Sequence, residues 1–151
     1  MLRKAKISDV KGIHALIDIY AKAGEMLPCA LVDLYERVRD FYVYTDDENG
    51  ELLGVCALHI CWEDLGEIRS LAVKGEERLK GIGKIMALAC LEEAALLGLK
   101  KVFALTYKPD FFKRMKFIEI DKGTLPHKIW GDCIKCSKFP DCDETAMMVE
   151  L

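Results

Sequence analysis

"GEIRSLAVKGEERLKGIGKIMALACLEEAALLGLKKVFALTY" (residues 66–107) decides how the chain folds. An apolar strand pattern gives way to a short charged stretch with three glycines, two of them, Gly81 and Gly83, at the start of a long apolar helix pattern ending at Gly98. A second strand pattern follows at 101–107. Two strands joined through a helix are expected to lie parallel, because the crossover returns the chain in the same direction. The helix pattern predicts a buried face of Ile85, Leu88, Leu91 and Ala95. At its start, backbone N–H groups have no intrahelical partner and the helix dipole adds partial positive charge. Gly81 and Gly83 carry no Cβ, and Arg78, Lys80 and Lys84 surround them, so a pyrophosphate can approach the main chain there. A capped helix with a flexible entry explains the same spacing equally well. The dinucleotide pattern fails at Met86, and the Walker pattern fails because no Ser or Thr follows Lys84.

Working outward, residues 2–7 alternate as a half-buried first strand would. Ser8 or Asp9 can cap a helix that presents Val10, Ile13, Ile17 and Tyr20 on one face, with Gly24 as its stop. Pro28 opens a second helix with the stripe Leu31, Leu34, Tyr35 and Val38. "FYVYT" (41–45) and "ELLGVCALHI" (51–60) flank a turn containing Asn49 and Gly50, and "EIRSLAV" (67–73) completes a three-strand meander. Pro109 opens a short helix, "KFIEI" (116–120) is a strand and "AMMVEL" (146–151) is a candidate last strand.

A chain of 151 residues, 52% hydrophobic and 31% charged, is expected to form one globular domain over 1–151. A net charge of −3 disfavours nucleic acid and anionic membrane as partners, so any phosphate site is a local cluster of cations. The first six residues lack the apolar run of a signal peptide, and the apolar run at 85–91 is too short to span a bilayer. The expected location is cytoplasmic. Seven cysteines, an odd count, point to reduced thiols or metal ligands rather than a disulfide framework.

Arg78-Leu79-Lys80-Gly81-Ile82-Gly83 resembles the Arg/Gln-x-x-Gly-x-Gly/Ala signature of the GNAT acetyltransferases, and its position at the start of the long helix matches too. "MLPCALVDLYERVRDFYVY", "ELLGVCAL", "GEIRSLAV", "VFALTYKPDFFKRMKF" and "TLPHKIW" resemble, in order, segments of the acetyltransferase domain of N-acetylglutamate synthase and its short stand-alone relatives. The resemblance implies an α/β fold, a GNAT-like mixed sheet of about six or seven strands flanked by about four helices. It implies an N-acetyltransferase (an acyltransferase) that uses acetyl-CoA and a primary amine of a small molecule, the α-amino group of glutamate or another amino acid being the candidate. A protein or peptide acetyltransferase and a non-catalytic acyl-CoA-binding or redox-sensing module are the alternatives. A homodimer is the candidate assembly.

The same resemblance assigns roles. Arg78, Leu79, Lys80, Gly81, Ile82, Gly83 and Lys84 would hold the pyrophosphate of acetyl-CoA. The backbone of Leu71, Ala72 and Val73 would contact its acetyl and pantetheine portions, with the Val73 N–H polarising the carbonyl. Glu67 would assist deprotonation of the amine; strand periodicity puts it on one face with Arg69, Leu71 and Val73. The bland reading is a solvated Glu67–Arg69 strand pair. Phe111 and Phe112 stand where many family members have a general-acid tyrosine, which leaves Tyr107 as a substitute, or as an aromatic lid on the core. A thiol leaving group with a reference pKa of about 8.5 can also leave without an acid. Lys116 stands where the family usually has glycine. Cys29 stands where the synthase pattern has an arginine suited to a substrate carboxylate, so Arg69, Lys128 and Arg37 are the remaining cations for that role.

Cys90 reads as a core thiol, Cys56 and Cys61 as core or edge thiols, and His14 and His59 as surface or satisfied histidines. The Cys-rich segment 127–144 spaces Cys133, Cys136 and Cys142 with His127 upstream. Three thiols and an imidazole can complete a structural tetrahedral zinc site. A reduced loop or an oxidised pair is the alternative.

Overall fold

The computed structural model describes residues 1–75, 81–125 and 144–151. Seven strands join in the hydrogen-bonded order β1-β2-β3-β4-β5-β7-β6, and four α-helices accompany them among the described residues. The strands are β1 (Leu2–Lys4), β2 (Phe41–Thr45), β3 (Leu52–Trp62), β4 (Leu65–Val73), β5 (Lys101–Thr106), β6 (Ile118–Ile120) and β7 (Thr145–Glu150). The helices are α1 (Val10–Lys22), α2 (Leu31–Glu36), α3 (Ile82–Leu97) and α4 (Pro109–Arg114). This is the mixed α/β sheet expected from the sequence. The chain divides into two compact units, Met1–His59 with Ile68–Glu93, and Ile60–Glu67 with Ala94–Leu151.

In the first unit β1 pairs antiparallel with β2, and β2 with β3. The buried stripe of α1 is the predicted one, Val10, Ile13, Ile17 and Tyr20, joined by Leu16. These side chains pack with Leu34, Phe41, Val43, Val55, Ala57 and Ala72 into one apolar cluster. Several expectations need correction here. The first strand stops at Lys4, and Ile7 lies exposed in a 3-10 turn. Asp9 precedes α1, but its carboxylate is taken by both guanidinium nitrogens of Arg3, at 2.7 and 2.9 Å, and by the Lys6 N–H. The helix expected from Pro28 begins only at Leu31, and of its stripe Leu34 is buried while Leu31 and Tyr35 are exposed. Six residues are too few to close an apolar face.

Helix α3 is turned differently from its predicted face. Ile82, Met86, Ala87, Cys90 and Ala94 are buried, whereas Ile85, Leu88 and Ala95 are exposed and Leu91 is half-buried.

In the second unit the start of β4 pairs parallel with β5, Leu65 to Lys101, Gly66 to Val102 and Glu67 to Phe103, as the crossover requires. Strand β7 lies between β5 and β6, antiparallel to both. Leu65, Phe103, Leu125 and Ala146 form its apolar cluster.

Three helices end in the same way. After α1, the Glu25 N–H bonds to the Tyr20 carbonyl and Gly24 to Ala21; after α3, Leu99 bonds to Ala94 and Gly98 to Ala95. After α4, Phe117 bonds to Phe112 and Lys116 to Lys113, with the two rings 5.0 Å apart. This closure needs a left-handed residue, which glycine supplies at Gly24 (φ 76) and Gly98 (φ 89). Lys116 adopts it at φ 70. A Cβ there costs about 1 kcal/mol. Lys116→Gly therefore raises stability by about that amount. In thermal unfolding the midpoint rises by about 2–4 °C.

Candidate active site

Strand β4 carries the residues on which the chemistry was expected. Glu67 is buried, 6% exposed, one of two buried polar side chains among the described core residues. Burying a carboxylate is costly, which makes its position a marked one. Beyond it the strand departs from regular alternation. Ser70 has φ 54, a left-handed conformation that a side chain adopts at a cost of order 1–3 kcal/mol. Ile68 and Ala72 are buried, while Arg69, Ser70, Leu71 and Val73 are half-buried. The single face predicted for Glu67, Arg69, Leu71 and Val73 is thus not maintained, because a left-handed residue breaks the period of two.

Cys29 Sγ lies 4.0 Å from Ser70 Oγ. Burial pushes the Cys29 thiol up, against the opposing effects of its Ser70 contact and of the Arg69 and Arg37 charges. The thiol is therefore neutral at pH 7. Arg69 is half-buried on β4, and Arg37 is exposed just after α2.

The end of β4 is held on both sides. The Tyr20 hydroxyl of α1 donates to the Val73 carbonyl, and the Lys74 N–H donates to the Leu53 carbonyl at 2.8 Å. Sequence periodicity marks Tyr20 only as a core residue; the destination of its hydroxyl is a product of the fold.

Helix α3 begins just after Gly81, one of the glycines noted in the sequence. Gly81 has φ 77, and among the described residues nothing lies within 4 Å of where its Cβ would be. Its carbonyl accepts the first helical bond, from Ile85 at 3.1 Å. Ile82 is buried, Gly83 half-buried and Lys84 exposed. First-turn N–H groups lack intrahelical acceptors, so an anion fits this end of the helix. What lowers α3 onto the sheet is Gly54 of β3. A Cβ there would stand 2.7 Å from Met86 Cε and 3.1 Å from Ile82 Cγ2. Further along the same pair of elements, Cys56 and Cys90 are fully buried with their sulfurs 3.6 Å apart, core thiols as expected.

Tyr107 is the first residue after β5 and is half-buried; Phe111 and Phe112 meet edge to face. His59 Nδ1 lies 3.0 Å from Asp40 Oδ2, a satisfied histidine. Arg78, Leu79 and Lys80, the substrate-binding candidate Lys128, and the zinc candidates His127, Cys133, Cys136 and Cys142 lie outside the described residues. Among the described residues no group of three or more His, Cys, Asp or Glu side chains could hold a metal. No described helix is long and apolar enough to cross a membrane.

The family model described as acetyltransferase (GNAT) family matches residues 13–119. An uncharacterised N-acetyltransferase of Chlorobaculum tepidum is 42% identical over 150 residues, 99% of this chain and 96% of that protein. A Mycobacterium tuberculosis protein named amino-acid acetyltransferase is 42% identical over 133 residues, 87% of this chain and 76% of its own length. Among solved structures, Rv2747 of M. tuberculosis, in complex with CoA and a second ligand, superposes with a TM-score of 0.85 at 33% identity. That match covers 100% of this chain and 99% of that one. N-acetylglutamate synthase of Neisseria gonorrhoeae, complexed with coenzyme A and N-acetyl-glutamate, has a TM-score of 0.89 at 24% identity. The match covers 100% of this chain but 35% of that longer one, a likeness of fold.

Two outcomes follow from the packing. Gly54→Val drives a side chain into Ile82 and Met86 and lowers stability by about 1–3 kcal/mol in urea unfolding. Met86→Ala in the same chain relieves part of the loss, which a double-mutant cycle measures as coupling. For Cys29, only the thiolate is alkylated, and burial holds the proton on the sulfur. Its iodoacetamide labelling rate therefore rises with pH about a midpoint above the ordinary thiol value of about 8.5.

Proposed function

The chain belongs to the acetyltransferase (GNAT) family, and on that premise we propose that it transfers the acetyl group of acetyl-CoA to the α-amino group of an amino acid. N-acetyltransferase activity is common to the relatives' names, and the relative called amino-acid acetyltransferase supports an amino-acid acceptor. The observation that carries the reading is the buried Glu67 carboxylate, placed on the strand that leads through Ser70 to Leu71, Ala72 and Val73.

The roles follow from the chemistry. An amine at neutral pH is mostly protonated and must lose a proton to become a nucleophile. Glu67 accepts that proton, directly or through water. The Val73 N–H donates to the oxygen that gains charge as the thioester carbonyl becomes tetrahedral. The first-turn N–H groups of α3 and Gly81 receive the pyrophosphate together with Arg78, Lys80 and Lys84. Tyr107 is the donor to the departing thiolate. Arg69 and Lys128 are the cations for the acceptor's carboxylate; Cys29, neutral at pH 7, offers no charge for a second one. The acting unit is one acetyltransferase domain over residues 1–151.

Glu67→Gln keeps the side chain's shape and removes the base. Its expected effect is a loss of about 10²–10⁴ in kcat. Acetyl-CoA binding by calorimetry stays near wild type. Thiol release is measured against a panel of free amino acids, polyamines and peptides. Wild-type turnover confined to peptides would replace the amino-acid reading, and binding without any turnover would replace the enzymatic one.

A further inference from the structure

We propose that Tyr20 is a positioning residue for acetyl transfer: its hydroxyl, by holding the Val73 carbonyl, sets the orientation of the Val73 N–H. This rests on the reading of Val73 given above, and on a hydrogen-bond arrangement that does not depend on it. The peptide joining Val73 to Lys74 is gripped at both ends, its carbonyl by the Tyr20 hydroxyl and its N–H by the Leu53 carbonyl at 2.8 Å. A planar peptide held at both polar groups cannot rotate. Only the two backbone torsions of Val73 separate that plane from the one bearing the Val73 N–H. With one plane fixed, the direction of the donor depends on those two torsions alone.

The anchor is itself rigid. Tyr20 is 9% exposed, within the apolar cluster that includes Ile17 and Ala72. Its own carbonyl accepts the Glu25 N–H at 2.9 Å, where left-handed Gly24 closes α1. The hydroxyl therefore reaches β4 from a helix end that is tied down. On the other side, the Lys74 ammonium pairs with the Glu51 carboxylate beside the start of β3. Three residues before Val73, Ser70 takes a left-handed turn, so the upstream strand does not supply regular backbone to hold the donor in line. The downstream peptide supplies that restraint, and Tyr20 is its side-chain member.

Tyr20→Phe tests this, because it keeps the ring and its packing and removes one oxygen. In the ligand-free protein, the ¹⁵N resonance of Lys74 shifts, since that nitrogen shares the peptide whose carbonyl has lost its donor. In the thiol-release assay kcat falls by about 10–100-fold while the KM for acetyl-CoA changes by less than about twofold. The melting temperature falls by no more than about 2–4 °C. The comparison variant Ile17→Ala, in the same cluster, loses more stability and keeps its kcat. An unmoved Lys74 resonance, or a Tyr20→Phe enzyme as fast as wild type, overturns the positioning role and leaves the acetyl-transfer reading intact. A wild-type protein that transfers nothing to any amine overturns both. A kcat loss matched by Ile17→Ala reduces Tyr20 to a structural part of the core and overturns the proposal.

Discussion

The seat of α3 on the sheet depends on an absence, that of a Cβ at Gly54. A strand residue with no side chain lets Ile82 and Met86, one turn apart, lie directly on the β3 backbone. The line of contact continues from Gly54 to Cys56 on the strand and from Met86 to Cys90 on the helix. Two strand residues advance about 6.7 Å and four helix residues about 6 Å, so the two elements stay nearly in step. Small side chains, Ala87 and Cys90, fill the remaining space and are fully buried. The height and direction of the first turn of α3 are thereby set. The main-chain donors at Gly81, Ile82 and Gly83 take their places from that packing.

Strand β4 combines two demands that regular extended structure does not reconcile. Its first residues join a parallel ladder with β5 and carry a buried carboxylate. Its last residue is tied to α1 through the Tyr20 hydroxyl. Between them the chain accepts the cost of a left-handed Ser70. Ala72 packs in the α1 cluster, and Gly66 and Glu67 join the ladder with β5.

Much of this was legible in the residues. Gly24 and Gly98 marked helix ends because a left-handed residue is what the closing hydrogen bonds require. Lys116, noted as standing where glycine is usual, adopts the same left-handed geometry despite its side chain. Gly50 (φ 72) falls in the expected turn, although the loop is organised by the Asp46 carboxylate, which accepts the Glu48 N–H at 2.8 Å. The α1 stripe was readable because polar residues separate its apolar ones. The face of α3 was not. Its residues are apolar on nearly every side, so periodicity carried no contrast, and the buried side is the one whose Ile82 and Met86 meet Gly54.

The order of elements, the parallel crossover, the glycine-opened helix and the core thiols were determined by the sequence alone, since each rests on local conformational preference or on hydrophobic period. The side of α3 that is buried, the left-handed bend in β4, the insertion of β7 between β5 and β6, and the reach of Tyr20 to Val73 were decided only by tertiary structure. Each depends on what stands opposite a residue rather than beside it in the chain. A serine carries no local mark of left-handed backbone, and a tyrosine in an apolar stripe looks the same whether its hydroxyl meets water or a strand's last carbonyl.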